Sequence, residues 1–325
     1  MRVLWLTMDQ TKRVMQFWQV LRDQCLLEMD RAGWDYTVKI RDVPNPYGAW
    51  VQGVERDPDA ALPLVTEKEM GEYDFIFVDR AGGSLYEPWA ARRGPWAVLI
   101  DDTHRDYQVR RYNTMHAQGA GLWVNHQHPF RERFPGVPYK WFPFAADPDV
   151  YHPYREWRER TPGVVMSGVI GDLFYPVRTA TCKALQGEPW AYTIKRPKEV
   201  SDASTGPRGA AYARRLSRFT IAATCSSRSI HTLCKTFEIP ACGTALLCDA
   251  TPEMADLGFI EDRHYIQLDP FAPGFVDATR NLVESPDELE DVANEGRELI
   301  LARHTIKRRA RLWMEYVEDA VRASR

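Results

Sequence analysis

The sequence predicts an α/β protein built from two doubly wound, parallel-sheet domains. Short apolar runs of strand character alternate with amphipathic segments of helical period along most of the chain. A stretch rich in proline and aspartate, Tyr139–Pro153, interrupts that rhythm, which then restarts with Gly163-Val-Val-Met-Ser. At 325 residues and 44% hydrophobic, the chain is long enough for two domains and apolar enough to bury a large core in them.

Taken in order, MRVLWLTM is an opening strand, and the Asp9–Lys12 turn after it lacks the GxGxxG of a dinucleotide site. In the helix that follows, Val14, Phe17, Trp18, Leu21, Cys25 and Met29 recur at mostly three- and four-residue steps up to Gly33, a fitting C-terminal stop. Tyr36–Ile40 is a second strand, and Val43–Leu64 is a long loop whose Tyr47, Trp50 and Gln52 are placed to line a site. Three further strands, Tyr73–Asp79, Trp96–Asp102 and Leu122–Asn125, are spaced for crossover helices. In such sheets ligands lie outside the carboxyl ends of the strands. That rule singles out Asp102 and His104, two residues apart, as a general base with its orienting carboxylate. The plainer alternative is that strand ends are polar because they reach water. His126 and His128 could join that pair in a mixed metal site, but no third ligand is fixed by spacing, so no metal is assigned.

The second domain opens with Gly163–Ser167. Gly168 and Gly171 follow, positioned to let backbone N–H groups approach an anion before a helix over Tyr175–Leu185. Trp190–Ile194, Phe219–Ala223 and Tyr265–Asp269 are strands, and Lys195–Gly209 is a surface loop. Ser285-Pro-Asp-Glu288 reads as an N-cap, a first-turn proline and a capping-box glutamate. A break at Ala302–Thr305 precedes a last helix with Ala310, Trp313, Val317 and Val321 on one side.

The most informative stretch is Ser226–Asp249, which reads as a helix, a glycine turn and a buried strand. At ~100° per residue, Arg228, His231, Lys235, Glu238 and Cys242 share one stripe, with Ile230, Leu233, Cys234 and Phe237 opposite. Such a stripe is either a solvated outer face or a set of cations for a phosphate with a carboxylate for a sugar diol, and Gly243 would let the backbone approach the ligand.

KTFEIPACGTALLCD (235–249) resembles the donor segment of GT-B glycosyltransferases, especially the group related to the spore-maturation (CgeB-like) proteins and glycosyltransferase families 1 and 4. Phe142-Pro143, Ala146-Asp147 and Tyr151-His152-Pro153 are similar to that fold's crossover between domains, and Tyr175-Pro-Val-Arg178 and the His304-Thr305 ending also match the group. The resemblance implies an N-terminal acceptor domain over 1–147 and a nucleotide-sugar domain over 148–305. It also implies a final helix, 306–325, that packs back on the first domain. It makes Glu238 the ribose ligand, Gly243 the turn beside it, and Arg178, Arg228, His231 and Lys235 donor contacts. Many retaining members carry another Glu eight positions earlier, where this chain has Ile230, so the stereochemistry stays open.

The expected activity is metal-free transfer of a hexose from a UDP-sugar co-substrate, with no bound cofactor, to a hydroxyl acceptor. The alternatives are a nucleotide-sugar epimerase or phosphorylase of the same fold, or a non-catalytic nucleotide-sugar-binding protein. A modified DNA base is a permitted acceptor, but a net charge of −3 gives no global basic field. No apolar run is long enough for a membrane span and the N-terminus is charged too early for a signal peptide, so the expected compartment is the cytoplasm. Six cysteines without CxxC spacing read as reduced thiols.

Overall fold

The computed structural model describes residues 1–8, 16–41, 67–79, 94–100, 106–168, 170–171, 173–194, 209–267 and 269–325. The Asp9–Lys12 turn, the Val43–Leu64 loop, and Asp102, His104, Lys195 and Arg196 therefore lie outside the described residues. The elements in chain order are β1 (Arg2–Met8), α1 (Gln16–Arg31), β2 (Asp35–Arg41), α2 (Glu67–Met70), β3 (Phe75–Val78), β4 (Trp96–Ile100), α3 (Asp106–Ala117), β5 (Ala120–Val124), α4 (Gln127–Arg133) and β6 (Lys140–Trp141). They continue as β7 (Thr161–Ser167), α5 (Pro176–Ala184), β8 (Ala191–Ile194), α6 (Gly209–Leu216), β9 (Phe219–Ala223), α7 (Lys235–Ala241), β10 (Ala245–Cys248), α8 (Pro252–Asp256) and β11 (Ile266–Gln267). Three helices close the chain: α9 (Phe275–Glu284), α10 (Pro286–Arg303) and α11 (Ile306–Ala323).

The chain divides into two units. The first holds a six-stranded, all-parallel sheet of order β2-β1-β3-β4-β5-β6. Strand side chains alternate between faces, and here both faces are buried, which is why the strands read as continuous apolar runs. Leu4, Leu6, Ile76, Val78, Val98, Ile100, Leu122 and Val124 pack on one side with Tyr112, Met115, Phe130 and Phe134 from α3, α4 and the residue after α4. On the other side Trp5, Phe75, Phe77 and Trp123 surround Trp313 of α11, whose ring stacks on Trp5 at 5.0 Å and 22°. The Trp5 indole N–H donates to buried Asp79 at 2.7 Å. Ala310, Trp313, Val317 and Val321 are all buried, as their spacing predicts.

The second unit runs Phe144–Arg309 with Val20 of α1, and holds a five-stranded parallel sheet of order β11-β10-β9-β7-β8. The chain goes from β7 to β8 on one side, then crosses to β9 on the other, so the strand order reverses between β7 and β9. Val164, Met166, Ile221, Ala223, Ala245 and Leu247 pack under Leu185, Val283, Leu289 and Ala293. Pro286 starts α10 as expected, but the Ser285 hydroxyl makes no capping bond. The Glu288 N–H donates instead to the Ser285 carbonyl at 3.3 Å, so a backbone turn replaces the capping box. All six cysteines are free thiols. Among the described residues no helix is long and apolar enough to cross a membrane.

The break between α10 and α11 is built on His304. Its Nε2 bonds the Leu257 carbonyl at 2.8 Å, and its Nδ1 lies 3.2 Å from Arg309 Nη2, which also donates to the Phe144 carbonyl at 3.1 Å. Arginine only donates, so Nδ1 accepts, Nε2 carries the proton, and the ring is neutral. Burial, with Arg309 adding to it, pushes the His304 pKa down to about 4. Because the unfolded chain takes up this proton first, stability is full above the ordinary histidine pKa and falls as pH drops toward 4. Relative to pH 7, a loss of about 2 kcal/mol is expected by pH 5 from this group. Urea midpoints at pH 7 and 5 check this, and His304→Gln is expected to flatten the difference; equal slopes in both proteins would refute it.

Candidate functional site

The reversal point between β7 and β9 is where a doubly wound sheet leaves room for a ligand beyond its strand ends. Gly168 follows β7 there with φ +115°, a backbone conformation that L side chains rarely adopt. A Cβ at Gly168 would stand 2.6 Å from Lys235 Nζ and 2.7 Å from Arg178 Nη1. Lys235 donates to the Ser167 carbonyl at 2.7 Å, which aims it across the strand end. Arg178, in the first turn of α5, is 4% exposed with its guanidinium 4.2 Å above the Tyr175 ring. An anion seated between these two cations would be attracted by both. The Ser167 and Tyr212 hydroxyls share a 2.7 Å hydrogen bond beside them, and burial, with Glu238 adding to it, pushes the Tyr212 phenol up.

One turn along α7 from Lys235 comes Glu238, half-buried, with Tyr151 beside it in the same pocket. Burial raises the Glu238 pKa, while the neighbouring Tyr151 hydroxyl and the Lys235 charge oppose the rise. Glu238 and Tyr151 line a solvent-open pocket with Asp147, Ala145, Val150, Ile306 and Val20. The site thus sets two cations over a glycine and, one helical turn away, a carboxylate that shares a pocket with a phenol.

The sequence-predicted residues do not all meet here. The helix expected from Ser226 begins only at Lys235, so the stripe joining Arg228 and His231 to Lys235 and Glu238 is not formed. Asp249 and Ser227 cause this, because the Asp249 carboxylate and the Ser227 hydroxyl offer the backbone N–H groups other partners. Asp249 takes the Ser226 N–H at 2.6 Å and its hydroxyl at 2.5 Å. Ser227 Oγ accepts the N–H groups of Ser229 at 3.2 Å and His231 at 3.4 Å. The turn leaves Ile230 at φ +57°. Arg228 is exposed, with its N–H donating to the Phe174 carbonyl at 2.8 Å, whereas His231 is buried.

Gly171 does not offer its amide outward, because that N–H donates to Thr179 Oγ1 at 3.1 Å. Gly243, at φ +61°, lies before β10, at the amino ends of the parallel strands and so away from Gly168 at their carboxyl ends; a Cβ on Gly243 would meet Pro153 at 3.1 Å and Arg160 at 3.4 Å. Its turn serves packing: Arg160 donates there to the Cys242 carbonyl and to Thr244 Oγ1. Among the described residues no cluster of three or more His, Cys, Asp or Glu side chains is arranged to hold a metal. Sequence reasoning missed Tyr212 and the contact of Tyr151 with Glu238. Tyr151 was visible only as part of the crossover, and nothing local marks Tyr212.

Residues 182–315 match the family described as Glycosyl transferase-like. Among curated proteins no sequence matches the chain. Among solved structures, sucrose-phosphate synthase from Thermosynechococcus elongatus is similar at TM-score 0.69 and 12% identity over 100% of both chains. Anabaena HepE in complex with UDP-glucose is similar at TM-score 0.67 and 14% identity over 97% of this chain and 99% of its own. An alpha-glucosyltransferase in complex with UDP and a 13-mer DNA containing an HMU base gives TM-score 0.60 and 9% identity, covering 98% of this chain and 99% of its own. At these identities the structural likeness is one of fold, the GT-B architecture of glycosyltransferases. The family match falls in the part of the chain that carries Lys235 and Glu238.

Proposed function

We propose that this GT-B glycosyltransferase holds a nucleoside-diphosphate sugar, a UDP-sugar, in its second unit and transfers the sugar to a hydroxyl acceptor without a metal ion. The observation that carries this reading is the convergence of Lys235 and Arg178 on Gly168, with Glu238 one helical turn away. When the glycosidic bond breaks, negative charge grows on the departing diphosphate. Cations already in place, one aimed by a carbonyl and the other by an aromatic ring, stabilise that charge without reorganising. Glu238 accepts hydrogen bonds from the ribose hydroxyls. Asp102 or His104 takes the acceptor proton if the reaction inverts; if it retains, the leaving phosphate does. The uridine nucleotides held by HepE and by the alpha-glucosyltransferase support the choice of base.

The test is the melting temperature with UDP, GDP, TDP and their sugars, with and without chelator. A ligand that binds only the folded chain adds about 2.7 kcal/mol at a hundredfold excess over Kd. UDP and a UDP-sugar are expected to raise the midpoint by several degrees, undiminished by chelator. No shift with any nucleotide would remove the donor site, and a shift lost to chelator would remove metal independence.

A further inference from the structure

We propose that Tyr151 is a positioning residue for nucleotide recognition: from the segment on which the chain enters the second unit, it holds the Glu238 carboxylate in the orientation that accepts the ribose hydroxyls. The proposal rests on the reading of Glu238 given above. A glutamate has three side-chain torsions, and ordering them on binding weakens affinity unless another group has already ordered them.

Tyr151 is well placed to do so because its own backbone is tied down. Its N–H donates to the Asp147 carbonyl at 2.7 Å, and the Val150 N–H reaches the same oxygen at 3.1 Å. Asp147 Oδ1 accepts the Asp149 N–H at 3.0 Å and closes the turn. One residue earlier, the Ala146 N–H donates to the His304 carbonyl at 2.9 Å and the Ala146 carbonyl accepts the Ile306 N–H at 2.8 Å. The phenol therefore projects from a platform fixed on two sides. In the proposed arrangement its proton takes one of the roughly four lone-pair directions of the carboxylate and leaves the others for a diol.

In this arrangement the phenol also favours the charged form of Glu238. Burial works against the carboxylate, and the groups acting on it are Lys235 on its own helix, Tyr212 of α6, Cys242 beyond the helix, and Asp147 and Tyr151 across the cavity. Of these, Tyr151 and Lys235 favour the ionised form. Without the phenol proton, Glu238 protonates at higher pH, and the acid limb of nucleotide binding moves up with it.

Affinities for UDP and 2′-deoxy-UDP in the full chain, wild type against Tyr151→Phe, Glu238→Gln and the double variant, test this, with unfolding midpoints as the check on folding. Wild type is expected to prefer UDP by roughly tenfold, the weight of one hydrogen bond to a charged partner. Either single variant is expected to reduce that preference to about twofold, with no further loss in the double variant. Tyr151→Phe is also expected to shift the acid limb of UDP binding upward. If wild type shows no preference, the assignment of Glu238 to the ribose fails. If Glu238→Gln loses the preference but Tyr151→Phe keeps it with the acid limb unmoved, the positioning role is overturned while the donor site stands. Should Tyr151→Phe not fold, Tyr151→Leu serves as the second variant without the hydroxyl.

Discussion

Lys235→Ala is expected to weaken UDP binding by roughly 30- to 100-fold, about 2–3 kcal/mol, and to leave uridine binding unchanged. The contrast follows from what Lys235 faces. Its ammonium is fixed by the Ser167 carbonyl and stands with Arg178 over Gly168, the place proposed above for the diphosphate, which a nucleoside lacks. Turnover is expected to fall further, by roughly 10²–10³, because the diphosphate carries more charge in the transition state than in the bound donor. Gly168→Ala gives an independent route to the same loss, since its Cβ would displace both cations while removing neither. Calorimetric titration of the two variants with UDP and uridine decides the matter. A Lys235→Ala protein that loses uridine and UDP equally would place the residue away from the phosphates.

The largest effect on stability is expected at Trp313. Its side chain is fully buried on α11, stacked on Trp5 and edge-on to Phe75, Phe77 and Trp123. Trp313→Ala opens a cavity under four aromatic rings and is expected to cost about 3–5 kcal/mol. Its indole N–H finds no acceptor among the described residues. Trp313→Phe therefore surrenders area but no hydrogen bond, and is expected to cost roughly 1–2 kcal/mol. Denaturant midpoints followed by tryptophan fluorescence and by circular dichroism separate the two. Equal, small losses would mean that α11 contributes little to the first unit.

The strands were legible because both faces of each sheet are buried, so β1, β4 and β10 stand out as apolar runs. The last helix was legible for a similar reason, in that Ala310, Trp313, Val317 and Val321 follow the helical period. The Lys235–Glu238 turn was also readable, since residues three apart share one face. The helix start was not. Ser226 and Ser227 divert the backbone through contacts to Asp249 and within their own turn, and helical period registers no such competition.

Local pattern, with its reach of about four residues, was thus enough to read most strands and the last helix, though not where the helix of the Ser226–Asp249 stretch begins. Which charges become neighbours was not in that pattern. Gly168 meets Arg178 and Lys235 because the strand order reverses between β7 and β9, and Tyr151 meets Glu238 because the entering segment is pinned to residues 304–306. Both meetings come from packing between segments far apart in the chain, so no nearby residues encode them.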